Sequence, residues 1–102
     1  MEFTWPIRVY YEDTDAAGVV YHSNYLKYME RARTEWLRKL GFSQEVLREE
    51  TGNIIVVSEM DIKFVRPAKL DDMLEVNSVL IKVTGASFLF EQSIQKMQEK
   101  IC

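Results

Sequence analysis

The stretch from Tyr10 to Tyr25 reads Tyr-Tyr-Glu-Asp-Thr-Asp-Ala-Ala-Gly-Val-Val-Tyr-His-Ser-Asn-Tyr, and it gathers most of the residue types in this chain that do chemistry. Carboxylates Glu12, Asp13 and Asp15 fall in a segment of turn formers closed by Gly18. Such residues favour local side-chain hydrogen bonds over a sheet ladder. The segment runs directly into the start of the strongest helical pattern, whose first turn presents unsatisfied N–H groups and a partial positive charge. Those donors could hold the oxyanion that forms when a carbonyl carbon becomes tetrahedral. A carboxylate just ahead of them could attack that carbon, or take a proton from a water that does.

Plainer readings apply to several of these residues. An Asp before a helix is usually a cap or a turn former, and Asp13 and Glu12 are read that way, as turn and surface groups. His22 is the sole histidine, so no system with a second histidine is open. It could move a proton near neutral pH, or contribute only its backbone at the helix start. His22, Asp13 and Asp15 lack a recognised metal-ligand spacing, so no metal is expected. Cys102 has no evident base and is assigned no role.

Four kinds of element must position these residues. Ile7, Val9 and Tyr11 alternate with Arg8 and Tyr10, which predicts a strand over Trp5–Tyr11 with Pro6 at its start or at a sheet edge. Tyr25, Met29, Ala32, Trp36 and Leu40 recur at helical spacing, flanked by Leu26 and Leu37. Ser23 is the expected N-cap and Gly41 the left-handed stop. Arg31, Arg33 and Lys39 read as its solvated face, with Glu35 pairing to Arg31 or Lys39. A short helical piece over Ser43–Glu50 closes at Thr51-Gly52-Asn53. Strands are then expected over Ile54–Val65, Met73–Val83 and Ala86–Met97, with a hairpin around Thr84-Gly85-Ala86. Successive strands with short connections make an antiparallel sheet. One long amphipathic helix needs a face to bury against, so the fold class is α+β, a curved sheet wrapped around that helix.

The chain has 102 residues and 47% apolar composition, which fits one domain spanning 1–102 with a modest core that oligomerisation would help. A formal charge of −3 with no run of Lys or Arg gives no stripe to neutralise phosphates, so nucleic acid is not an expected partner. The longest apolar run, Ile54-Ile55-Val56-Val57, is far too short to span a bilayer. The N-terminal residues Met1–Pro6 do not resemble a signal peptide, and the lone cysteine excludes an intrachain disulfide. Together these predict a cytoplasmic protein.

Asp13-Thr14-Asp15-Ala16-Ala17-Gly18-Val19-Val20-Tyr21-His22, then Tyr25-Leu26 and Glu30-Arg31-Ala32-Arg33-Thr34-Glu35, resemble the hotdog-fold thioesterases. The chain is similar to the 4-hydroxybenzoyl-CoA thioesterases and, more closely, to the acyl-CoA thioesterases associated with the Tol–Pal system of Gram-negative bacteria. The likeness continues through Pro67-Ala68-Lys69-Leu70-Asp71-Asp72-Met73-Leu74. It implies hydrolysis of acyl-CoA to free acid and CoA, with Asp15 as nucleophile or general base. The His22 N–H would be the oxyanion donor, and Gly18, Tyr21 and Tyr25 would lie on the substrate side. In such dimers or tetramers the partner subunit completes the site, and the resemblance puts that contribution near Ser58 and Glu59. A thioester's leaving thiol, with a pKa of roughly 8.5 by analogy with cysteine, departs with little acid assistance, so neither metal nor redox cofactor is required. An acyl carrier protein is a further candidate partner.

Two features depart from the family pattern. The 4-hydroxybenzoyl-CoA enzymes carry a basic cluster before the last hairpin strand, where this chain has Thr84-Gly85-Ala86 with only Lys82 nearby. The family also continues into another long strand beyond Lys100-Ile101-Cys102, so the sheet is expected to lack its last strand and expose an edge. Two alternatives stay open: a non-catalytic acyl-CoA or acyl-carrier-protein binding module, and a hotdog dehydratase or hydratase.

Overall fold

Phe3, Trp5 and Ile7 turn one way while Glu2, Thr4, Pro6 and Arg8 turn the other, the period-two pattern of a half-buried strand. The computed structural model describes residues 2–41, 44–52, 56–84 and 87–102, and it forms β1 from Glu2–Arg8. The strand begins earlier and stops sooner than the sequence predicts, because Tyr11–Asp13 folds into a single 3₁₀ turn. Pro6 sits opposite Glu75 on the edge of the sheet, where its missing N–H costs no ladder bond.

Helix α1, Asn24–Lys39, buries Tyr25, Tyr28, Met29, Ala32 and Trp36. Gly41, at φ 94°, ends it as expected. Ser23 occupies the N-cap position but has helical backbone angles and makes no side-chain cap bond. Glu35 pairs with Arg38 rather than with Arg31 or Lys39, and Lys39 lies over the Phe3 ring at 5.7 Å. Helix α2 is Gln44–Thr51, followed by Gly52 at φ 75°. Ser43 and Asn53 lie outside the described residues.

Strands β2 (Met73–Thr84) and β3 (Ser87–Lys96) pair antiparallel up to Thr84 and Ser87. Gly85 and Ala86, on which the expected hairpin falls, lie outside the described residues. Met97 and Gln98, both at positive φ, form a tight turn into β4, Glu99–Lys100, so β3 ends one residue before the expected Met97. The order is β1-β2-β3-β4. Register places Ile7 beside Leu74, Trp5 beside Val76 beside Ile94, and Phe3 beside Ser78 beside Gln92. This face packs on α1 around the fully buried Tyr28, Leu74, Val76 and Ile94.

A polar pin crosses between the layers. Gln92 Nε2 donates to Ser78 Oγ at 2.9 Å and to the Met29 carbonyl at 3.0 Å. Arg33 donates to Gln92 Oε1 at 2.6 Å. Arg33 is therefore half-buried against the sheet rather than part of a solvated helix face, and burial pulls its pKa down.

The predicted strand over Ile54–Val65 does not form in its described part. Ile54 and Ile55 lie outside the described residues, and residues 56–65 belong to no strand. A strand needs a partner ladder, and among the described residues this segment meets one only at its end, where Val65 and Arg66 N–H both donate to the Ile101 carbonyl at 2.8 and 3.1 Å. Within the segment, Ile62 packs against the core, whereas Val56, Met60 and Phe64 are exposed.

Candidate active site

The local sequence Asp-Ala-Ala-Gly dictates the turn that carries Asp15. Gly18 N–H donates to the Asp15 carbonyl at 2.9 Å, and Asp15 N–H donates to the Val19 carbonyl at 2.9 Å. Asp15 Oδ1 accepts the Ala17 N–H at 2.8 Å, the side-chain bond that makes Asp a favoured turn opener. Gly18 has φ 79°, a left-handed conformation that a side chain would strain. One carboxylate oxygen is thereby held in place, and Oδ2 has no partner among the described residues.

The two arms of this turn form a short hairpin. Thr14 bridges Val20, and the Tyr21 N–H donates to the Asp13 carbonyl at 2.9 Å. The second arm enters α1 within three residues, through Tyr21, His22 and Ser23. The Asn24 N–H is taken by the Tyr21 carbonyl at 2.8 Å. The His22 and Ser23 N–H groups have no partner among the described residues, so the helix start carries free donors beside the hairpin that holds the carboxylate.

Asp15 and Gly18 line a cavity of about 500 Å³ together with Tyr11, Thr14, Ala16 and Leu70. Tyr21, His22 and Tyr25 do not line it. They form an aromatic cluster with Phe64, at 4.5 Å for Tyr21–His22, 6.0 Å for His22–Phe64 and 5.9 Å for Tyr25–Phe64. Tyr25 is buried, and its hydroxyl accepts the Ala68 N–H at 3.0 Å, so its first task is to fasten the loop beside the site. Burial pushes its phenol pKa up, and the Asp72 and Asp15 carboxylates add to the effect. Ser58 and Glu59 are exposed on the segment outside the sheet and do not line this cavity.

The loop wall at Leu70 is built by backbone ties. Val19 bridges Lys69, the Val20 N–H donates to the Ala68 carbonyl at 2.8 Å, and Arg8 holds the Asp71 carbonyl at 2.8 Å. Asp72 accepts the Lys69 N–H at 2.9 Å and pairs with Lys96 at 2.9 Å. Burial alone would raise the Asp72 carboxyl pKa, but Lys96 and the Lys69 N–H outweigh it and hold the value below the ordinary range. A depressed carboxylate pKa stabilises the fold above the unfolded value, and the contribution disappears as pH falls through the folded one. Asp72→Asn is therefore expected to melt below wild type from about pH 7 down to about pH 4, and the gap should close in stronger acid. A melting-temperature series checks this; a gap that widened on acidification would contradict it.

Sequence reasoning missed Asp13. Read as a surface turn residue, it is in fact 5% exposed, with both carboxylate oxygens engaged. A signal was available: Asn24 and Tyr28 are spaced i and i+4 on the buried stripe of α1, and two polar groups there call for a polar partner across the interface.

Residues 17–102, a stretch beginning just beyond Asp15, match the family model described as Thioesterase superfamily. The chain is 52% identical over 94 residues to the acyl-CoA thioesterase YbgC of Haemophilus influenzae, covering 92% of this chain and 69% of that one. It is 51% identical over 92 residues to the acyl-CoA thioester hydrolase YbgC of Escherichia coli O157:H7, covering 90% and 68%. Among solved structures, a probable thioesterase from Bartonella henselae superposes with a TM-score of 0.94 at 36% identity, covering 99% of this chain and 84% of that one. The α+β hotdog fold expected from the sequence, an antiparallel sheet on one main helix, is the fold observed.

Proposed function

This chain belongs to the thioesterase superfamily, and from that premise we propose that it hydrolyses acyl-CoA thioesters to the free acid and CoA, with Asp15 as the reacting carboxylate. The observation that carries the reading is the hairpin between Thr14 and Val20, which sets Asp15 on a cavity and leads straight to the free N–H groups of His22 and Ser23. The thioester carbonyl oxygen takes up negative charge beside those donors, which stabilise it more than they stabilise the ground state. As a general base, Asp15 Oδ2 takes a proton from water while the water oxygen bonds to the acyl carbon. The C–S bond then breaks and the thiolate leaves. As a nucleophile, the same oxygen forms an acyl anhydride with loss of thiolate, and water then cleaves the anhydride.

Asp15 is exposed in the single chain, and a site open to water weakens every electrostatic interaction in it. The reading therefore includes a homodimer or homotetramer in which the exposed segment around Ser58 and Glu59 closes over the partner's cavity. The exposed Val56, Val57, Met60 and Phe64 on that segment support it. No described helix is long and apolar enough to cross a membrane, and the proposed site of action is the cytoplasm, where CoA esters are made and used.

Incubation with a panel of acyl-CoAs, and of acyl groups on acyl carrier protein, in the presence of a thiol-trapping reagent tests the activity. Free thiol released in step with free acid is the expected result. Ligand binding without thiol release would instead identify a binding module, and loss of water from a 3-hydroxyacyl-CoA with its thioester intact would identify a dehydratase. Sedimentation of the same sample reads the assembly state.

A further inference from the structure

The fold buries Asp13, the carboxylate that the proposed chemistry does not use, and leaves Glu12 and Asp15 exposed. No Lys or Arg forms an ion pair with it among the described residues, so a buried polar side chain is satisfied only by neutral donors, an arrangement kept at a cost in desolvation. Asp13 Oδ2 accepts the Tyr10 N–H at 2.9 Å, from the chain ahead of the hairpin. Oδ1 accepts Nδ2–H of Asn24, the first residue of α1, also at 2.9 Å. The Asp13 carbonyl accepts the Tyr21 N–H on the opposite arm at 2.9 Å. Tyr28, one turn further along α1, is fully buried and makes no well-formed hydrogen bond among the described residues. Burial raises its phenol pKa, and the nearby Asp13 carboxylate raises it further.

One residue thus ties together the chain ahead of the hairpin, the returning arm and the helix start. Along the chain, Asp15 lies two positions beyond Asp13 and His22 lies next to Tyr21. The separation of the reacting carboxylate from the helix-start N–H groups is set across this clamp. We infer that Asp13 is a positioning residue that fixes Asp15 relative to the His22 amide by holding Tyr10, Tyr21 and Asn24 at once. It touches no substrate, and the inference rests on the proposed role of Asp15.

The hydrogen-bond polarity of the clamp makes it testable. Both Asp13 oxygens must accept. Asp13→Asn puts a donor where Asn24 Nδ2 donates, so Asn24 must turn its amide over and give up the wild-type geometry, and Asn24→Asp sets two carboxylates against each other. The double exchange restores complementarity: the amide introduced at 13 accepts from Tyr10 and donates to the carboxylate introduced at 24. Steady-state kinetics on an acyl-CoA that wild type turns over, with melting temperatures, should be compared for wild type, both single variants and the double variant.

Each single exchange is expected to lower kcat about 10- to 100-fold with KM nearly unchanged, the signature of misplaced reacting groups. The double exchange should recover kcat to within about fivefold of wild type. Asn24→Ala removes one donor and leaves the carboxylate in place. It is the milder variant should Asp13→Asn not fold, and is expected to lose about three- to tenfold in kcat. Lower melting temperatures with unchanged kcat per folded molecule would make Asp13 merely structural and overturn the inference, as would a double exchange that recovers stability but not turnover. Asp15→Asn run alongside separates two failures. Full turnover in Asp15→Asn sinks the catalytic reading together with this inference. Loss in Asp15→Asn with full turnover in Asp13→Asn sinks this inference alone.

Discussion

Asp15→Asn is expected to lower kcat on acyl-CoA by about 10²- to 10⁴-fold, the range for removing a positioned proton acceptor, while stability changes by less than about 0.5 kcal/mol. The two halves of this prediction come from the same geometry. Asp15 is exposed, and its side chain makes one described hydrogen bond, Oδ1 accepting the Ala17 N–H at 2.8 Å. Asparagine keeps an oxygen for that bond, so the turn survives. What it loses is the charge and basicity of the other oxygen, to which the proposed mechanism assigns the reaction. KM should move little, because a group that acts in the transition state contributes little to ground-state binding. Initial rates with a thiol-trapping reagent, together with a thermal melt, measure both halves.

Trp36→Ala should have the largest effect on stability, a loss of about 3–5 kcal/mol from a total of about 5–15 kcal/mol for a domain of this kind. Trp36 is 6% exposed. Its ring stacks on Phe3 at 5.7 Å and 8°, and meets Phe90 edge-on at 5.9 Å. It therefore joins α1 to both β1 and β3, and its truncation opens a cavity across all three. The site is spared in the folded fraction, because His22 lies about 20 Å away along the helix axis at 1.5 Å per residue. Denaturant unfolding should show the lower midpoint, and turnover per folded molecule should stay near wild type at low temperature. A midpoint within error of wild type would contradict this account of the core.

What could be read in the sequence was whatever local rules determine. Helix α1 follows from the spacing of Tyr25, Met29, Ala32 and Trp36, and the Asp15 turn from an Asp opener and a Gly at positive φ. The α+β class followed from one long helix and successive strands. Failures came where the outcome depends on a distant partner. Val56–Val65 has the composition of a strand, but composition cannot supply a ladder, and among the described residues the segment meets one only at Ile101. Arg33 looked like a surface charge until Gln92, far along the chain, gave it an acceptor inside. Asp13 looked like its neighbour Glu12, and only the packing of α1 separates the two.

The Asp15 site was legible in part for the same reason. The carboxylate, the glycine and the helix start are contiguous in sequence, so their juxtaposition needed no long-range knowledge. The family likeness puts Tyr25 on the substrate side, and its hydroxyl also accepts the Ala68 N–H, a contact that only the fold reveals. Leu70, on the cavity wall, arrives from a loop distant in sequence, and no local pattern marks it.

The most direct measurement is a crystal structure of the Asp15→Asn variant with an intact acyl-CoA bound. The account predicts the thioester carbonyl oxygen about 3 Å from the His22 N–H, with its carbon facing the side chain at position 15. A thioester lying away from the Thr14–Val20 hairpin, with neither group in contact, would contradict it.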